Sequence, residues 1–226
     1  MPKIARLHVA MKRPEDVIPH LGKGELHWKK GRSARELAVS WYEAAGFPAP
    51  VSDVLDSEPS LRNLILVDGF FERKTDLRTP GRATQTDLLV IAGGPQGPVS
   101  IGVEGKVGEP FGDLVGDWRA RKPSKGKERR LAALRSTLGI SASVVDDLRY
   151  QLFHRTAAAI YEAQDRGIDR AVILVHSFDP GNAGLNDFQA FAETIGATGA
   201  AANRISRPVV LERITTYLAW VSNTPS

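Results

Sequence analysis

Two periods of apolar residues divide the chain. From Ser33 to Gly46, "SARELAVSWYEAAG" places Leu37, Ala38, Trp41 and Ala45 on one stripe, the spacing of a helix with a single buried face. Ser33 with Glu36 three residues later is a capping-box pattern at its start. Gly46 and Pro48 predict its end. A short second helix is expected at 51–56. The period then falls to two. "RNLILVDGFFER" (62–73), "TQTDLLVIA" (84–92) and "VSIGVEGKV" (99–107) read as three strands, divided by the turn sequences "TPGR" and "GGPQGP". Helical spacing returns at 110–121, 126–138 and 143–166. Ser143 is the expected cap of the last of these, and Val145, Leu148, Leu152, Thr156, Ala159, Ile160 and Ala163 are its expected buried stripe. "RAVILVHSF" (170–178) is an apolar strand and 183–196 a helix. The second half of "VVLERITTYLAWVSN" alternates as a final strand.

This order predicts one α/β domain over 1–226, with an irregular segment at 1–30 and a core at about 31–222. Its centre is a mixed β-sheet flanked by helices. A strand reached through a long helix pairs in parallel, by a right-handed crossover.

Alternation also sorts the strand at 99–107. Val99, Ile101, Val103 and Val107 point to one face, and Ser100, Gly102, Glu104 and Lys106 to the other. Glu104 and Lys106 are therefore neighbours, about 6.5 to 7 Å apart along one face. Gly102 and Gly105 are expected to keep the surroundings open. The tight turn pairs this strand antiparallel with 84–92, so Asp87 comes to Glu104. Two carboxylates beside an ammonium can hold a hard cation such as Mg²⁺ and stabilise charge developing on a phosphodiester. Glu72 and Lys74 repeat the spacing at an expected exposed strand end. Glu72 remains an outside candidate because it can lie close to Asp87.

Charge adds a partner class. The net charge is +4, and "WRARKPSKGKERR" concentrates Arg119, Arg121, Lys122, Lys125, Lys127, Arg129 and Arg130 against one acid, Glu128. Such a run offers sequence-independent affinity for nucleic-acid phosphates. A shorter run, "KKGRSAR", lies at 29–35. The chain has no cysteine, which excludes disulfides, thiolate metal sites and a cysteine nucleophile and suits a reducing compartment. The start of the chain does not read as a signal peptide. No run approaches the ~20 apolar residues of a membrane helix. A cytoplasmic protein without membrane contact is the expectation. The sequence holds no phosphate-binding G-x-x-x-x-G-K-[ST] loop, so no nucleotide cofactor is implied. It has no H-E-x-x-H zinc motif and no G-x-S-x-G nucleophile elbow. His176, at the end of an apolar strand, is expected to cap the sheet edge, and Trp41, Trp118 and Trp220 to pack.

Asp87 followed by Glu104-Gly105-Lys106 resembles the D…(D/E)-x-K signature of the PD-(D/E)XK nuclease superfamily, which has the restriction-endonuclease-like fold. Thr86 stands where Pro precedes the Asp in that pattern. "GVEGKVGEPFG", "LRYQLFHRTAAA" and "AVILVHSF" resemble an uncharacterised bacterial family placed in that superfamily, over residues 26 to 221. The resemblance implies that Asp87, Glu104 and the Gly105 carbonyl hold Mg²⁺ or Mn²⁺, with Lys106 beside the attacking water. It implies an acid from the first helix, for which Glu36 is the candidate, and a polar residue from a later helix, for which Gln151 is. It also implies a homodimer able to cut two strands. The functional expectation is a metal-dependent phosphodiester hydrolase, a nuclease acting on DNA rather than RNA. The alternatives are a catalytically silent nucleic-acid- or protein-binding module of the same fold, or a subunit of a defence or toxin system that needs a partner.

Overall fold

The structure is a computed structural model that describes residues 6–7, 11–21, 24–26, 28–141 and 145–223. The three meander strands form where alternation predicts them. β2 (Ile65–Thr75), β3 (Thr84–Gly93) and β4 (Val99–Lys106) are antiparallel neighbours, and the two-residue β1 (Arg6–Leu7) pairs with β2 in parallel. β5 (Arg170–Ser177) joins β4 in parallel, and β8 (Ile214–Ser222) joins β5 in parallel. β6 (Arg204–Ile205) and β7 (Val209–Leu211) both pair with β8 in antiparallel fashion. Among the described residues the result is one mixed eight-stranded sheet in the order β1-β2-β3-β4-β5-β8-β6, with β7 beside β8, as the α/β reading expects.

Helices cover both faces. α1 (Ser33–Glu43) and α2 (Ala49–Asp56) precede the meander. α3 (Val115–Ala120), α4 (Lys125–Thr137) and α5 (Tyr150–Asp165) lie between β4 and β5, and α6 (Leu185–Thr194) follows β5. On one face Leu37, Trp41 and Val54 pack with Leu88, Val103 and Leu174. On the other Phe153, Ile160, Phe188 and Phe191 pack with Ile173, Val175 and Leu218. Every residue of β4 and β5 is buried. This is the usual state of parallel strands covered on both sides, and it explains why β5 reads as a continuous apolar run.

The glycines of β4 serve close packing rather than open space. A Cβ on Gly102 would lie 3.3 Å from the Ala159 Cβ of α5, and one on Gly105 would lie 3.3 Å from both Leu37 Cβ and Ser33 O of α1. The two helices thus press on opposite faces of the same strand. His176 is not at an edge, because β8 adds beyond β5; it is fully buried, and Trp41 Nε1 donates to its Nδ1 at 3.2 Å. Trp41 and Trp220 are buried, and Trp118 stacks on Tyr150 with ring centroids 3.9 Å apart.

Three helix boundaries differ from the periodic reading. At α1 the N-cap is Arg32, and Ala45, with φ 48°, takes the left-handed turn expected of Gly46. α3 starts only at Val115. α5 begins at Tyr150, because the chain before it is held to the start of α3. Val115 N–H donates to Leu148 O at 2.8 Å and Tyr150 N–H to Asp113 O at 3.0 Å. Ser143 lies outside the described residues. Among those described, no helix is long and apolar enough to cross a membrane.

Candidate active site

The site lies where β3 and β4 part. Their ladder ends at Leu88↔Val103, and one step further the same register sets Asp87 across from Glu104. There the Gly105 N–H donates to Asp87 Oδ2 at 3.0 Å instead of to a ladder carbonyl. On its other side β4 stays paired with β5 as far as Lys106↔Ser177, and Phe178 N–H donates to Lys106 O at 2.7 Å. The N–H and C=O of one strand residue leave along the same edge, so the Gly105 carbonyl faces the same parting as its N–H.

Asp87, Glu104 and Lys106 share the face covered by α5. Lys106 Nζ donates to Glu104 Oε1 at 3.0 Å, and Gln151 Nε2 donates to the same oxygen at 2.6 Å. Lys106 also reaches Gln151 Oε1 at 3.3 Å. Arg155 Nε donates to Glu104 Oε2 at 2.6 Å, Arg155 Nη1 donates to Thr84 Oγ1 at 2.8 Å, and Nη2 lies 3.8 Å from Asp87 Oδ1. Gln151 and Arg155 are one turn apart on α5, so one helical face delivers both.

A cavity of about 330 Å³ opens over this group. Its lining includes the acids Glu72, Asp87, Glu104 and Glu109 and the cations Lys106 and Arg155. With all six ionised the lining would carry two net negative charges. Glu72 sits opposite Asp87 by the register of its neighbours, Phe71↔Leu88 and Arg73↔Thr86, and Gln85 donates to it. Its backbone has φ 55°, a left-handed conformation that is strained for a side chain of this kind inside a strand.

The two central carboxylates are driven apart in proton affinity. Burial, and then the charge of Glu104, push Asp87 up to about 8. Burial would raise Glu104 as well, but the charges of Arg155 and Lys106 and the hydrogen bonds from both hold it well below the usual carboxylate range. Environments that separate a pair in this way mark acid–base and ion-binding sites. Burial raises Glu72 too.

Hard oxygen donors and an excess of acid suit a divalent cation such as Mg²⁺. Asp87, Glu104 and the Gly105 carbonyl could supply oxygen donors of this kind. Among the described residues no group of three or more His, Asp or Glu side chains could hold a metal. An ion here would therefore keep several waters, as Mg²⁺ commonly does.

The structure leaves Glu36 out of this group. Its Oε1 accepts from Gly31 N–H at 2.9 Å and Arg35 Nη1 at 3.0 Å, so it serves the first turn of α1. The basic run divides. Arg119 pairs with Glu128 and Asp146, Arg121 with Asp113, Lys127 donates to the Trp118 and Arg121 carbonyls, and Arg130 donates to Tyr150 Oη and Arg82 O. Lys122, Lys125 and Arg129 are exposed, with no ion pair among the described residues. Arg155 has, with Gln151, the closest hold on Glu104; its four-residue spacing from Gln151 is the one sequence signal for it. His154 binds Thr84 Oγ1 through Nδ1 at 2.7 Å, and burial pushes it down to about 3, so it is neutral.

The family of a domain of unknown function, DUF6946, matches residues 10–225. Comparison with curated proteins and with solved structures gave no match.

Proposed function

The chain belongs to the DUF6946 family, and we propose that it is a metal-dependent phosphodiester hydrolase, a nuclease acting on DNA in preference to RNA, with a restriction-endonuclease-like arrangement of its site. The observation that carries this reading is the meeting of Asp87, Glu104, Lys106 and Gln151 at the parting of β3 and β4. Asp87, Glu104 and the Gly105 carbonyl would hold Mg²⁺ or Mn²⁺. When bound, such an ion polarises a phosphodiester oxygen and lowers the pKa of a bound water.

The chain's own groups divide the remaining work. Lys106 is buried, is tied to Glu104 and Gln151, and sits 4.7 Å over the Phe111 ring. Its ammonium is thus fixed and largely stripped of water, the state in which a charge best stabilises an oxyanion forming beside it. Gln151 accepts from Lys106 and donates to Glu104, which fixes both rotamers. Asp87 is held protonated near neutral pH by burial and by the charge of Glu104, and would have to give up that proton to serve as a cation ligand. Lys122, Lys125 and Arg129 supply phosphate contacts that carry no sequence information.

The test is a cleavage panel of supercoiled, linear and single-stranded DNA and RNA with Mg²⁺ and Mn²⁺, beside Glu104→Ala. DNA products that require the ion and disappear in EDTA are expected. A Glu104→Ala protein that cuts at the wild-type rate would refute the proposal. A second reading, a silent nucleic-acid-binding module, is favoured by one observation: Glu104 already accepts from three donors of its own chain. DNA binding retained in EDTA, with no products at any metal concentration, selects it.

A further inference from the structure

We infer that Arg155 is a resident counter-cation that competes with a divalent ion for the Asp87–Glu104 pair, so that ion entry requires its guanidinium to leave Glu104. This rests on the pair taking a metal ion, and does not depend on cleavage. A carboxylate offers about four lone-pair positions. Lys106 and Gln151 both use Glu104 Oε1, and they also bond each other. Arg155 holds Oε2, at 2.6 Å, and its second arm reaches toward Asp87 Oδ1 at 3.8 Å. The guanidinium thus occupies the oxygens of both carboxylates that would hold an ion. Like charges at such separations repel strongly away from bulk water. Lys106, by contrast, bonds Glu104 through Oε1 rather than Oε2 and can stay.

The position is also built for release. Arg155 is tied to the body of the protein through Nη1, which donates to Thr84 Oγ1 at the first residue of β3. Its side chain keeps 13% exposure and lines the cavity that contains Glu72 and Glu109. A guanidinium that swings off Glu104 therefore remains in an acidic cavity, with its planar fork toward any phosphate that enters. Arg155 is a positioning residue in the resting state and a ligand competitor in the loading step.

The test is Mn²⁺ binding by isothermal titration at fixed pH for the wild type, Arg155→Met, Arg155→Lys and Asp87→Asn, with circular dichroism as the check of folding. Arg155→Met is expected to bind Mn²⁺ at least about tenfold more tightly, since the competitor is gone and both carboxylates remain. Arg155→Lys should fall between, because an ammonium keeps the charge without the fork. Asp87→Asn should bind weakly. Unchanged or weaker Mn²⁺ affinity in Arg155→Met overturns the inference, as does the absence of Mn²⁺ binding in all four proteins. The wild type gives a second measure that needs no variant. The Arg155 Nε–H resonance should shift on Mg²⁺ addition as its bond to Glu104 breaks, and a resonance that stays in place through saturation also overturns the inference. Tightened Mn²⁺ binding without DNA cleavage would refute the nuclease proposal and leave the competition standing.

Discussion

Asp87→Asn should make the metal-free protein more stable, and more so as the pH rises. In the unfolded chain Asp87 loses its proton near 3.8, and in the folded protein only at about 8. Across that window the folded state holds a proton that the unfolded state has lost. The contribution of the group is fully present below 3.8, falls through the window and is gone above 8. The gap between 3.8 and about 8, at about 1.36 kcal/mol for each step of one in pH, sets an upper limit of ~6 kcal/mol. Water still reaches 23% of the side chain. Screening therefore reduces the expected effect to about 2–3 kcal/mol. The amide is the neutral counterpart of the protonated acid and retains an oxygen for the Gly105 N–H. Glu104 runs the other way: its contribution is present above its unfolded pKa and lost only as the pH falls below it. The Glu104 effect lies below 4.5 and most of the Asp87 effect above it. Urea unfolding in EDTA at pH 5, 7 and 9 reads the result. Wild-type stability should decline toward pH 9 relative to Asp87→Asn, and Mg²⁺ should reverse the ranking by binding the wild-type folded state more tightly. A variant less stable than wild type at pH 9 in EDTA would refute the electrostatic account of the site.

Lys106→Met should lower Mg²⁺-dependent cleavage by about 10²–10³-fold while Glu104 keeps Gln151 and Arg155; a wild-type rate in single-turnover assays would remove the lysine from the chemistry. Gly105→Ala should destabilise by about 1–2 kcal/mol, because its Cβ would crowd Leu37 and Ser33 at 3.3 Å, and an unchanged melting temperature would show that α1 gives way freely. Replacing Lys122, Lys125 and Arg129 together by Ala should reduce the slope of log affinity for duplex DNA against log salt by about 2–3. Arg119→Ala should leave that slope unaltered, since its guanidinium is already paired with Glu128 and Asp146; equal effects of the two would place DNA elsewhere.

The α/β class was legible because period-two and helical patterns alternate cleanly, and the shared face of Glu104 and Lys106 follows from the pleat alone. The approach of Asp87 follows from the tight turn between β3 and β4. What a linear pattern lacks is the position of one element over another. Helical spacing groups Gln151 with Arg155, but only the seating of α5 over Gly102 decides that both reach Glu104. Likewise the sequence of β5 does not reveal that β8 lies beyond it, so His176 reads as an edge residue while it is central. Glu36 is ambiguous in sequence because a carboxylate in the first turn of a helix suits either capping or a site; in the fold Gly31 N–H captures it. Charge density in 118–130 likewise says nothing of which cations have partners.

The sheet order has a consequence for synthesis. The end of β4 that carries Glu104 and Lys106 is fixed against β5, and the side chains that complete its bonding come from α5. A growing polypeptide on the ribosome therefore has both acids in hand long before it can arrange them. Until residue 177 has emerged, the centre is an unassembled set of parts.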